Sequence, residues 1–295
     1  MTDPQLHSPT AATAALTAVL ADLHAESESL DQLVAHLPAR QWTLPTPATG
    51  WTIAHQIGHL LWTDLAALHA LTQPETFHSQ YVVPASSGDP HFADTAAENY
   101  SKLPPAILHS TWRMHQRRLS DALHRVPPGT KLAWFGPPMK PTTMTTARLM
   151  ETWAHGHDVA DALGVTRTPT ARLRSIADLG IRTRAFSFTV HQLSPPRESV
   201  RVELTVPTES AGERVWTWGP EDAPESVMGS ALDFCLLVTK RAHRDDLDLK
   251  ATGPGADRWL DIAQAFAGPP GPGREPSSTG RANSSIATGK ERKPD

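Results

Sequence analysis

Cysteine is almost missing from this chain of 295 residues, where Cys235 stands alone. One thiol excludes an internal disulfide and any cysteine-rich zinc site, so a bound metal must take its ligands from His, Asp and Glu. Long apolar runs are also lacking. No window approaches the ~18 uninterrupted apolar residues of a membrane helix, and no basic stretch near Met1 leads into an apolar one, so neither a membrane span nor a signal peptide is expected. The expected location is cytoplasmic. Charge of one sign is missing too: 27 Lys and Arg against 31 Asp and Glu leave a formal net charge of -4, with no basic stripe to attract nucleic acid. Tyrosine occurs twice and tryptophan nine times, a ratio that favours large apolar walls. The expected partner is a small-molecule substrate, with no nucleic acid and no membrane, and the oligomeric state is not legible in the sequence.

What is present is helical periodicity over the first half. Leu16, Val19, Leu20, Leu23, Leu30, Leu33, Val34 and Leu37 recur at three-, four- and seven-residue intervals, which predicts an amphipathic helix from Ala11 to Leu37. Pro38 and the run Pro45 to Gly50 end it. Thr52 is placed to cap a second helix from Ile53 to about Leu71, whose apolar face is Ile57, Leu60, Leu61, Leu65 and Leu68. Residues 72–94 hold three prolines with Ser86, Ser87 and Gly88, and read as a long irregular connection. A third helix is expected from Pro104 or Pro105 through Trp112 to Leu123, with Arg113, Arg117 and Arg118 on its solvated face. The apolar loop Leu132 to Pro138 reads as a pocket wall or as packing over a bundle end. A fourth helix, from Thr142 or Thr143 to Leu163, closes at Gly164.

Four helices close a bundle whose core can host a site built from facing side chains. This gives a bundle domain over residues 1–165. Beyond it the pattern changes to a helix from Ala171 to about Gln192, strands at Ser199 to Val206, Glu213 to Trp218 and Asp246 to Ala251, and helices at Ser226 to Thr239 and Ala256 to Ala267. Residues 166–267 therefore read as a small α+β domain. From 268 to 295 the composition turns to Gly, Pro, Ser, Arg and Lys, so this tail is expected to be disordered.

The chemistry concentrates in the fourth helix, in the run Arg148 to Asp158. Glu151 and His155 are four apart, ~6 Å along a helix and on one face, so both can grip one ion. On the second helix His55 and His59 also lie one turn apart. His59 sits deeper in the apolar stretch and is favoured as the third ligand, which leaves His55 as a rim or pocket residue and a catalytic candidate. Two histidines and one carboxylate leave positions open for water or substrate, as in catalytic zinc sites, although iron suits the same set. His157 should face elsewhere, and Asp158 either orients a ligand imidazole or is solvated. Arg148 and Arg241 are candidates to meet an anionic substrate; the plainer readings are an ion pair with Glu151 for the first and a helix-end contact for the second. Cys235 lies in an apolar helical run and reads as buried and inert.

The stretch Gly50 to Leu60, followed much later by Arg148, Glu151 and His155, resembles the mycothiol-dependent maleylpyruvate isomerase family of DinB-like metalloproteins. The run Met150 to Gly164 is similar to an actinobacterial branch of that family. The resemblance covers nearly the whole ordered chain. It implies an α+β protein with a DinB-like four-helix bundle before a small α+β domain, and His59, Glu151 and His155 as ligands of a divalent metal. Zinc is favoured, with iron or nickel as alternatives. It also implies mycothiol as cosubstrate: a thiol adds to a conjugated double bond, the resulting single bond rotates, and expulsion of the thiolate completes a cis-trans isomerisation. Thiol transfer to an electrophile would use the same parts. Two other readings stay open, a metal-dependent hydrolase or secondary-metabolite tailoring enzyme that activates water, and a non-enzymatic module that binds an apolar ligand.

Overall fold

The computed structural model describes residues 9–89, 91–207, 213–271 and 273–277. Most of the tail expected to be disordered lies outside the described residues. The chain divides into two compact units, Met1–Thr168 with Phe266–Gly268, and Pro169–Ala265 with Pro269–Asp295.

In the first unit four long helices, α1 (Pro9–Val34), α2 (Ile53–Thr72), α6 (Pro105–Arg125) and α7 (Pro141–Leu163), form the bundle. Helix α1 packs on α6 and α7, and α2 packs on both of the same partners. The residues that set the helical period are those that bury: Leu16, Leu20, Leu23, Leu30 and Val34 on α1, and Leu108, Trp112, Leu119 and Leu123 on α6. Arg113, Arg117 and Arg118 are exposed, as their polar face requires. Helix α7 ends at Gly164, whose φ of 67° lets the chain turn left-handed at no steric cost. Two sub-cores share the bundle, one around Leu30, Ile57, Leu61 and Trp112 and one around Leu16, Ala67, Leu119 and Met144.

Residues 72–94 are not an irregular connection. They contain α3 (Pro74–Phe77), a π-helical segment (His78–Val82) and α4 (Val83–Ala85), and are followed by α5 (Phe92–Ser101). Pro74 and Pro84, which suggested a loop, occupy first-turn positions, where a missing N–H costs nothing, and Pro90 lies outside the described residues. Together these short helices turn Phe77, Tyr81 and Phe92 onto Trp62 of α2, and the apolar loop contributes Trp134 and Phe135 to the same cluster. Phe135 reaches within 5.9 Å of Trp62 between ring centroids.

Gly58 permits the close approach of α5 to α2. A Cβ there would lie 3.0 Å from the Ala97 carbonyl oxygen and 3.1 Å from Tyr100 Cβ. Gly58→Ala should therefore cost about 1–3 kcal/mol through overpacking, outweighing the better helix propensity of alanine. Urea unfolding would read the loss as a lower midpoint; an unchanged or higher midpoint would mean α5 yields freely.

The second unit carries α8 (Leu173–Arg182) and α9 (Arg184–Val190), separated at Thr183, where one helix was expected. Its sheet has four strands in the order β2-β1-β3-β4, with β1 Val200–Pro207, β2 Glu213–Trp218, β3 Glu225–Ser230 and β4 Leu249–Thr252. The β1–β3 pair is parallel and the other two are antiparallel. Val202, Leu204 and Val206 alternate inward on β1. Helices α10 (Ala231–Val238) and α11 (Pro254–Ile262) pack on the sheet. Strand β3 corrects the expectation of a helix from Ser226: the helix begins only at Ala231, where the Ser230 hydroxyl accepts from the Asp233 N–H at 3.0 Å.

Candidate metal centre

Helix α2 carries His59, and α7 carries Glu151 and His155 one turn apart. The Glu151 carboxylate Oε2 lies 3.2 Å from His155 Nε2 and 3.5 Å from His59 Nε2. One ligand atom from each residue falls within 4.8 Å of the other two, a group able to hold a metal ion. The imidazole centroids of His59 and His155 are 4.6 Å apart. His155 is buried and the other two are half-buried, so the cluster keeps a solvent-facing side. Burial by itself would raise the Glu151 carboxyl; hydrogen bonds and charge from His155 and His59 outweigh it and hold the group well below the usual carboxylate range.

Aromatic rings frame the three residues. The Trp51 ring stacks on His155 at 5.9 Å with a 16° tilt and sits 5.4 Å from His59, while Trp62 lies 5.8 Å from His59. Trp51 is itself anchored, its indole N–H donating to Asp94 Oδ1 on α5 at 3.0 Å. Behind the cluster the buried Arg148 donates from Nε to Asp64 Oδ1 at 2.9 Å. Burial raises the Asp64 carboxyl, and the Arg148 guanidinium pulls it back without cancelling the rise. On the remaining side the buried Gln56 meets His155 Nδ1.

Not every residue singled out in the sequence arrives at this cluster. His55 Nδ1 accepts the Thr52 N–H at 3.2 Å, and its Nε2 pairs with Glu98 Oε2 of α5 at 2.6 Å. It ties the start of α2 to α5. Arg148 corrects the expectation of an intrahelical pair with Glu151, because its partner is Asp64 on the facing helix. Arg241 belongs to the second unit and donates to the Thr239 carbonyl at 2.7 Å just after α10. His157 is half-buried beside the Trp153 ring, at 4.3 Å. Asp158 is buried, which removes the solvated reading. Cys235 is buried in the second unit, its thiol facing the Leu173 carbonyl at 3.5 Å, and burial pushes its pKa up.

Three contributors escaped the sequence. Gln56 and Asp64 are polar residues inside the apolar run of α2, a position that is costly without partners and is the only signal they gave. Trp51 gave no signal of its role beyond its place beside the turn at Gly50, in the stretch that carries the family resemblance.

Comparison with known proteins follows the same division of the chain. Residues 23–160 match the sequence model of the family described as mycothiol maleylpyruvate isomerase N-terminal domain, and residues 196–252 match one described as wyosine base formation. Two uncharacterized proteins of Mycobacterium tuberculosis, from strains CDC 1551 / Oshkosh and ATCC 25618 / H37Rv, are each 57% identical over 255 residues, spanning 86% of this chain and 97% of theirs. The crystal structure of the mycothiol-dependent maleylpyruvate isomerase and that of a mutant of it superpose with TM-scores of 0.53 and 0.54. Both are 15% identical and cover 82% of this chain and 95% of theirs, a likeness of fold.

Proposed function

Because the chain belongs to the family of the mycothiol maleylpyruvate isomerase N-terminal domain, we propose that it holds a divalent metal at His59, Glu151 and His155. With that metal it would use a thiol of the mycothiol type to isomerise, or to transfer the thiol to, a small unsaturated or electrophilic substrate. The observation that carries this reading is the convergence of two imidazole nitrogens on one ionised carboxylate from two different helices. The donor set fits a borderline metal such as zinc, and three protein ligands leave room for an exogenous one. When bound, the ion would act as a Lewis acid that favours the ionised form of a coordinated thiol, the nucleophile of the reaction.

The chain's own residues define what surrounds that chemistry. His59 and His155 contribute neutral donors and Glu151 a negative one, so a divalent ion would retain a net positive charge. Trp51 and Trp62 shield two flanks from water, which strengthens electrostatic interactions at the site. The thiol has to come from outside, since Cys235 is buried in the other unit and its raised pKa keeps it protonated.

The test begins with elemental analysis of the purified protein. About one divalent ion per chain is expected, and His59→Ala should remove it. Thermal shift against a panel of low-molecular-weight thiols should then show stabilisation that depends on the ion. Turnover that persists without any thiol would favour the water-activating alternative; metal-free protein of unchanged stability would end the enzyme reading altogether.

A further inference from the structure

Gln56 is fully buried, and a buried amide is costly unless its donors and acceptor are matched. Its Nε2 donates to Thr46 Oγ1 at 2.9 Å, and its Oε1 faces His155 Nδ1. The direction of this chain of bonds is fixed from its far end. Thr46 has one hydroxyl hydrogen, and the Trp51 carbonyl, which can only accept, takes it at 3.0 Å. The same carbonyl accepts the Thr46 N–H at 2.8 Å, so the loop holds the hydroxyl in place. Thr46 Oγ1 is therefore an acceptor toward Gln56.

Two consequences follow in order. The side of the Gln56 amide that meets Thr46 must be its NH2 group, so the side that meets His155 is the oxygen. An amide oxygen cannot donate, so His155 Nδ1 carries the hydrogen. In a neutral imidazole the other nitrogen then holds a lone pair, and that nitrogen, Nε2, is the one 3.2 Å from Glu151 Oε2. With Nδ1 already protonated, Nε2 can meet that carboxylate either through a second proton, which it donates, or through a cation that takes the proton's place. His59 has no comparable device, since its Nδ1 is buried without a hydrogen-bond partner among the described residues.

We infer that Gln56, aligned by Thr46, is a positioning residue that selects the Nδ1–H tautomer of His155 and thereby presents Nε2 as a metal donor. The inference rests on the metal site proposed above. Such outer partners orient a ligand histidine and typically contribute 10–100-fold to metal affinity.

The tautomer is read by NMR of the metal-free full chain labelled with nitrogen-15 in histidine, and zinc affinity by competition with a chromophoric chelator. In the wild type His155 should carry a hydrogen on Nδ1, with or without a second one on Nε2. Gln56→Leu should lose that preference and bind zinc about 10–100-fold more weakly. Thr46→Val, which leaves every group around the ion in place, should mix the tautomers and weaken zinc by about 10-fold, at the lower end of that range. Thr46→Ser, which keeps the hydroxyl, should behave as the wild type. An Nε2–H tautomer in the wild type would overturn the assignment, and so would a Thr46→Val variant with unchanged tautomer and unchanged zinc affinity. If the wild type bound no zinc, the metal reading would fall, and the nitrogen spectra would still decide whether Gln56 sets the tautomer.

Discussion

Glu151→Gln is expected to lose metal affinity by more than about 100-fold, beyond the 10–100-fold that changes in outer partners bring. Glutamine keeps the shape of the side chain and one carbonyl donor. What it removes is the negative charge that both imidazoles face, 3.2 and 3.5 Å away. A divalent ion held by three neutral groups loses its strongest Coulombic partner in a site where solvent screening is incomplete. The fold should survive, because among the described residues the half-buried carboxylate forms its ion pairs with His59 and His155 alone. Chelator competition on the variant, with circular dichroism to confirm the helices, checks both halves. Wild-type affinity in a folded Glu151→Gln protein would show that the ion sits elsewhere.

The second large effect is one of stability. Asp64→Ala leaves the Arg148 guanidinium buried without its carboxylate, and breaking a buried ion pair from one side costs about 3–5 kcal/mol. For a protein of this size that corresponds to a fall in Tm on the order of 10 °C. Both partners are almost wholly enclosed between α2 and α7, at 4% and 1% exposure, so water cannot take over the lost contact. The double variant Asp64→Leu/Arg148→Met should recover most of the loss, since replacing both charges avoids an uncompensated one. Calorimetry on the single and double variants decides the matter. A single variant as stable as the wild type would mean that Arg148 finds another acceptor.

The convergence of His59, Glu151 and His155 was legible in the sequence because the spacing of Glu151 and His155 is a property of the helix backbone, independent of the rest of the fold. His59 was legible because its neighbours, Ile57, Leu60 and Leu61, mark the buried face of α2. The bundle helices followed from the same periodicity. What failed were short elements whose signals were overridden by packing. Helix α5 holds Asp94, Glu98 and Asn99 and has only Ala97 fully buried, so its apolar stripe is too thin to register. Strand β3 runs directly into the apolar α10, and the two merged into one helix-like stretch. The role of Gln56 was hidden for another reason: its partners lie 10 and 99 residues away in the chain, a closure that only the folded bundle makes. The same holds for Arg148, whose carboxylate partner is 84 residues distant.

The indole of Trp51 stacked on His155 gives the protein a built-in optical probe. A paramagnetic ion such as cobalt(II) or nickel(II) at the neighbouring histidines would drain the excited state of that ring, and of Trp62 beside His59. Occupancy of the centre can then be followed as a drop in emission without any added dye, and Trp51→Phe would identify how much of the signal this one ring supplies.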